Sequence, residues 1–193
     1  MDDLVRSGKV RYIGASNVTA WQLMKALAFS QYHNLAKFVS LQAYYTIAGR
    51  DLERELVPLL LDQKVGLMVW SPLAGGFLSG KYSRNKNPED ARRAKFDFPP
   101  INKEKAFDII DVMEPIAQSK NVSVAQIALA WLLHQPVVTT VIIGAKKMEQ
   151  LEDNLKAVDV TFTQDELDKL NEASKLTPEY PAWMLTRQSA DRK

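Results

Sequence analysis

Four short apolar segments alternate with amphipathic helical ones along this chain, and that alternation leaves few folds open. Residues 10–15, 38–43, 66–69 and 139–143 read as strands that are apolar on both faces. Between them lie segments with helical periodicity: one behind a Thr19/Gln22 capping box with Trp21, Leu23, Met24, Leu27 and Ala28 on one face, then 52–62, 103–119, and a run behind a Ser123/Gln126 capping box that Pro136 stops. Gly144 opens a further helix with Met148, Leu151, Leu155 and Val158 on one face, and Thr163/Glu166 caps a last one. Residues 2–7 read as the end of a helix closed by Gly8, and the polar residues after Leu176 show no clear element. Strands buried on both faces and joined by helices must be parallel, with right-handed crossovers, which makes the chain α/β. In such folds ligands sit at the carboxyl ends of the strands. Here those ends carry Ser16-Asn17, Gln42, Trp70-Ser71 and Gly144, all predicted on one rim.

The third of these strand ends is the richest in chemistry. Trp70 offers a flat aromatic face, Ser71 a hydroxyl and Pro72 a rigid turn, and Leu73 leads into Gly75, Gly76 and Gly80, with Lys81 behind them. Glycines let a backbone approach a ligand closely, and the lysine brings positive charge to the same place. This reads as a cradle for a nucleotide, or as a buried Trp followed by an ordinary glycine-rich loop. The connection that follows, to about residue 101, far exceeds the roughly 2–6 residues usual in α/β units. Residues 81–105 hold eight Lys/Arg against four Asp/Glu, which fits either a solvated loop or a site for an anionic small ligand.

Composition narrows the classes. A net charge of +2 on 193 residues gives no argument for nucleic acid. There is no cysteine, hence no disulfide, thiol nucleophile or thiolate metal site, and two isolated histidines lack metal-ligand spacing. No apolar run approaches the ~18 residues of a membrane span, and the first residues lack a signal-peptide core, so the expected compartment is cytoplasmic. His33 lies in a polar helix end, and His134 falls in the last turn before Pro136, where a capping role is expected.

GKVRYIGASN, VSLQAYY, GLMVWSPLAGGFLSGKY and IIGAKKMEQLEDNL, in that order, resemble the last four strands of the aldo-keto reductase (β/α)8 barrel, from about Asp2 to Leu176. The resemblance implies a C-terminal half barrel over residues 1–176, four parallel strands with outer helices, and a tail over 177–193. It also implies NADP(H) in an extended pose. Ser16, Asn17 and Gln42 would bond the nicotinamide carboxamide, and Trp70 would stack under the ring, where many relatives have Tyr. Ser71, Pro72 and Leu73 would line the pyrophosphate, with Lys81 and Arg92 adding charge. Lys146 would face the adenosine 2′-phosphate beyond Gly144, and Gln150, Asp153 and Asn154 would read the adenine.

The family reaction is NADPH-dependent reduction of an aldehyde or ketone, with a Tyr acid supported by Lys, Asp and His. Those motifs belong to the barrel's first half and are expected upstream of Met1. Tyr44 and Tyr45 lie near the site but show no Lys partner in the sequence. Three readings therefore stand: the cofactor half of a reductase, a non-catalytic NADP(H)-binding or regulatory scaffold, or a fragment needing a partner half. A small carbonyl substrate is expected only where that half is supplied. Residues 10–15 and 139–143 would be unpaired edges, and Ile13, Leu41 and Met68 or Val69 would face water on the inner wall, which predicts self-association.

Overall fold

A computed structural model describes residues 1–86, 88 and 92–190. Its sheet has four strands: β1 (Ile13–Ser16), β2 (Phe38–Tyr44), β3 (Gly66–Trp70) and β4 (Val138–Val141), ordered β1-β2-β3-β4 and parallel throughout. Helices α1 (Asp2–Arg6), α2 (Ala20–Tyr32) and α3 (Leu56–Gln63) alternate with the first three strands. After β3 come the short α4 (Arg92–Lys95), then α5 (Lys103–Lys120) and α6 (Val124–Leu133), which leads into β4. Beyond the sheet lie α7 (Met148–Leu155), α8 (Gln164–Ser174) and α9 (Ala182–Ala190). Sequential neighbours with parallel pairing are what the alternation of strand and helix requires, and the arrangement is part of a (β/α)8 barrel.

Local signals account for most boundaries. Thr19 and Thr163 each form a reciprocal capping box, with Gln22 and Glu166. Ser123 caps α6 by accepting the Gln126 N–H at 3.1 Å, but the Gln126 side chain does not return to the cap. It donates instead to Asp153 of α7 at 2.7 Å, so the expected second capping box is half a cap and half an interhelix tie. Residues 177–190 also hold more structure than their polarity predicts. Arg54 donates to the Thr177 carbonyl at 3.2 Å and pairs with Glu179, and α9 follows.

The core lies between the sheet and its helices. Leu41, Ala43, Leu67 and Val69 pack with Leu23, Leu27, Leu60, Ile127 and Trp131. Trp131 is fully buried: its indole N–H donates to Asn171 at 3.1 Å, and the Arg50 guanidinium lies over its ring at 5.1 Å. Arg50 in turn pairs with Glu53 through two bonds of 2.7 and 2.9 Å and donates to Ser174 at 2.6 Å. The segment after β2 is thereby locked to α8.

Strand facing corrects the expected inner wall. Ile13, Leu41 and Val69 are buried, and the last two belong to the helix-covered core. The period of two puts Ser40, Gln42, Tyr44, Gly66, Met68 and Trp70 on the other face, half-buried. That floor is closely fitted. A Cβ at Gly14 would meet Ser40 Oγ at 2.5 Å, and one at Gly66 would meet Thr139 Oγ1 at 2.9 Å. Deep on β2 and β3 the inner face is thus small and polar, with Tyr44, Met68 and Trp70 as its large side chains.

Candidate functional site

The carboxyl ends of the strands converge as parallel pairing dictates. Register sets Ser16 beside Gln42, Gln42 beside Met68, and Tyr44 beside Trp70, while the Ile142 N–H bonds the Val69 carbonyl at 2.8 Å. Asn17 follows β1 in the left-handed region at φ 52, a conformation asparagine tolerates better than other side-chain-bearing residues. Its N–H donates to the Gln42 carbonyl at 3.1 Å, and its side-chain oxygen accepts the Trp70 indole N–H at 2.9 Å. Ser16 and Asn17 are exposed, and Gln42 and Trp70 are half-buried.

Beyond Trp70 the chain makes a tight turn. Ser71 and Ala74 hold positive φ of 51 and 49, strained for residues with a Cβ. The strain is held by local bonds: Ala74 N–H to the Ser71 carbonyl at 2.9 Å, and Gly75 N–H to Ser71 Oγ at 3.0 Å. Pro72 is buried beneath the turn and Leu73 is half-buried. Gly76, at φ 94, and Gly144 both face open space, with nothing among the described residues within 4 Å of where a Cβ would stand. Lys81 and Lys146 are exposed. Arg92 opens α4, but its side chain lies outside what the structure describes.

Two residues the sequence did not single out complete this corner. Arg93, 6% exposed, donates to the Ala74 carbonyl at 2.7 Å and pairs with Asp97, and its guanidinium sits 5.7 Å from the Phe77 ring centroid. Phe98 lies parallel to Trp70, with centroids 6.0 Å apart and planes 10° apart, while Tyr44 meets Trp70 at 5.1 Å. The one sequence sign of either was Arg in a basic loop beside a repeated Phe.

On α7, Gln150 accepts the Lys146 N–H at 3.1 Å. Asp153 is occupied on both oxygens, by Ser123 and Gln126 at 2.7 Å each, and Asn154 is buried. The face spaced i, i+3, i+4 is therefore divided: Asp153 fastens α7 to α6, and Gln150 stays near the rim. His134 Nδ1 lies 2.8 Å from the Ala130 carbonyl, at the C-cap of α6.

Neither tyrosine is suited to give up a proton. Burial pushes the Tyr44 hydroxyl up to about 12, with Arg93 opposing and Asp51 adding to the shift. Its oxygen has no hydrogen-bond partner among the described residues. Tyr45 is raised further by burial and by Glu53, to which its hydroxyl donates at 2.7 Å. Arg50, the cation acting on Tyr45, is already engaged by that same Glu53.

An aromatic plate at a strand end, amide side chains beside it, a strained turn and two glycines facing open space mark a candidate rim on a parallel α/β protein. The glycines leave room for a phosphate chain to approach backbone, and Trp70 with Asn17 and Gln42 matches a flat ring bearing an amide, so the residues fit a nicotinamide nucleotide. The model of the Aldo/keto reductase family matches residues 1–175. The chain is 37% identical over 184 residues to an uncharacterized oxidoreductase, YrpG, of Bacillus subtilis, covering 93% of this chain and 55% of that protein. It is 33% identical to versiconal hemiacetal acetate reductase of Aspergillus parasiticus, covering 89% of this chain and 50% of the relative. A probable voltage-gated potassium channel subunit beta of Arabidopsis thaliana is also 33% identical, over 94% of this chain and 57% of its own. This chain belongs to the aldo/keto reductase family, and it spans about half the length of these curated relatives.

Proposed function

We propose that these residues form the NADP(H)-binding wall of a carbonyl reductase. The convergence of Trp70, Asn17, Gln42 and the Ser71–Gly76 turn on one rim carries the reading. When bound, the cofactor would supply the hydride that reduces an aldehyde or ketone to an alcohol. The chain's own residues position it. Trp70 presents a face for the ring, and Ser16, Asn17 and Gln42 offer donors and acceptors to its carboxamide. The turn with Ser71, Pro72 and Leu73 admits the pyrophosphate, with Lys81 adding charge. Gln150 and Asn154 border the adenine side, with Asp153 holding their helix in place. The same reading sets residues 1–176 as the binding domain, 177–193 as its tail, and the protein in the cytoplasm.

Lys146 is assigned to the 2′-phosphate. Lys146→Ala should weaken NADPH by about 1.5 kcal/mol, roughly tenfold, the low end for a charge-assisted contact because Lys146 is exposed. NADH affinity should hardly change. Titration calorimetry with both cofactors checks this, and an equal loss for the two would remove Lys146 from that role.

A second reading is binding without turnover, as a regulatory scaffold. It is favoured by the raised Tyr44 and Tyr45 hydroxyls and by the likeness to the potassium channel subunit beta of Arabidopsis thaliana. Either reading leaves β1 and β4 as the outer strands of the described sheet, flanked by exposed Trp21, Phe29 and Tyr32 on α2 and by Leu155 and Val158 beyond β4. Outer strands with apolar flanks favour self-association or a partner half barrel. Light scattering at micromolar concentration should therefore give a mass above the 21.8 kDa of one chain. A clean, cooperatively melting monomer would overturn that expectation.

A further inference from the structure

We propose that Phe98 is an internal plug on the Trp70 plate, so that a nicotinamide ring gains this face only as Phe98 leaves it. The inference rests on the cofactor reading above and concerns how the site opens. Phe98 stacks parallel on Trp70, yet it is itself 42% exposed, and its other aromatic neighbour is Phe96 at 5.6 Å. A ring held by one stacked face and open to water can be exchanged for another ring at small cost.

The segment carrying Phe98 is clasped to the turn that would receive the phosphates. Arg93 holds the Ala74 carbonyl and pairs with Asp97, which also pairs with Lys103 at 2.9 Å. Lys103 and then Arg93 keep the Asp97 carboxyl below its usual range, so this clasp is charged at neutral pH. At Gly75 the two backbones touch: a Cβ there would stand 2.5 Å from the Phe98 carbonyl oxygen. Only glycine lets the strap lie this close.

The closed arrangement also uses up recognition groups. The Asn17 side-chain oxygen is taken by the Trp70 indole, and the Trp70 face is taken by Phe98. Meanwhile Arg93 Nε is buried without an acceptor among the described residues, an unsatisfied donor that counts against the closed strap. The plate is thus satisfied from within the chain, and a ligand ring must compete for it.

The test uses the 193-residue chain and three ligands: NADPH, nicotinamide mononucleotide, and adenosine 2′,5′-bisphosphate, which has no ring for Trp70. Phe98→Ala should tighten NADPH and nicotinamide mononucleotide roughly three- to tenfold, the scale of one aromatic stack, and leave the bisphosphate unchanged. Phe98→Tyr should behave as the parent. Without any ligand, acrylamide quenching in a Trp21→Phe, Trp183→Phe background, which leaves Trp70 and the fully buried Trp131, should rise in Phe98→Ala. Weaker binding of the ring-bearing ligands would make Phe98 a fixed wall and overturn the plug, as would unchanged quenching. Failure of parent and variant alike to bind NADPH, with quenching raised, would overturn the cofactor reading itself.

Discussion

Trp131→Ala is expected to lower the unfolding free energy by about 3–5 kcal/mol, read as a shift in urea midpoint at constant slope. The indole is fully buried in α6, where β2, α3 and β3 side chains meet in one core. Its loss removes more than volume. Asn171 would lose the donor it accepts, and Arg50 would lose the ring beneath it while still tied to Glu53 and Ser174. The Tyr45 ring, packed edge-on at 5.6 Å, would border the cavity. Total stability for a domain is about 5–15 kcal/mol, so the alanine variant stands near the limit of folding. Trp131→Phe fills most of the space but leaves Asn171 unpaired, and about 1–3 kcal/mol is expected from that variant. A loss below about 1 kcal/mol in both would show that this cluster does not couple α6 to α8.

The second large effect is on rate. With saturating NADPH and an aromatic aldehyde, these 193 residues are expected to turn over at least about 10²–10⁴-fold slower than a full-length family member. That factor is what a positioned general acid contributes. A Tyr44 hydroxyl at about 12, with no hydrogen-bond partner among the described residues and Arg93 as the cation acting on it, does not offer such an acid near neutral pH. Tyr44→Phe and Tyr45→Phe should therefore leave any residual rate unchanged. Turnover that is fast in the parent and lost in either variant would identify a substitute acid and undo the argument.

Much of this was legible because it is local or periodic. The capping boxes at Thr19 and Thr163 depend on residues three apart, and the parallel sheet follows from alternating strand and helix. Ser123 was read correctly as a cap, while Gln126 was not, because the competing acceptor, Asp153, comes from another helix. The facing of Ile13 and Leu41 was misread, and that of β3 was left open between Met68 and Val69, for a different reason. Apolar residues on both faces give no periodic signal, and the useful one was the small and polar set Ser40, Gln42 and Gly66. The helix Ala182–Ala190 hid in a polar tail, although Pro181 just before it is a common helix opener. Arg93 and Phe98 act through contacts made across a long connection, and nothing in local spacing marks such pairs.

The small, polar floor of the sheet changes what an open wall costs. Had that surface been aliphatic, exposing it would leave a greasy trough that water avoids. Ser40, Gln42 and a threonine beside glycine instead give water hydrogen-bonding sites along its length. The wall can be wetted, so the force that would zip β1 and β4 onto other strands comes from the ladder and the helix flanks. Solutes that compete for backbone hydrogen bonds should loosen such a seam more than agents acting on apolar contact.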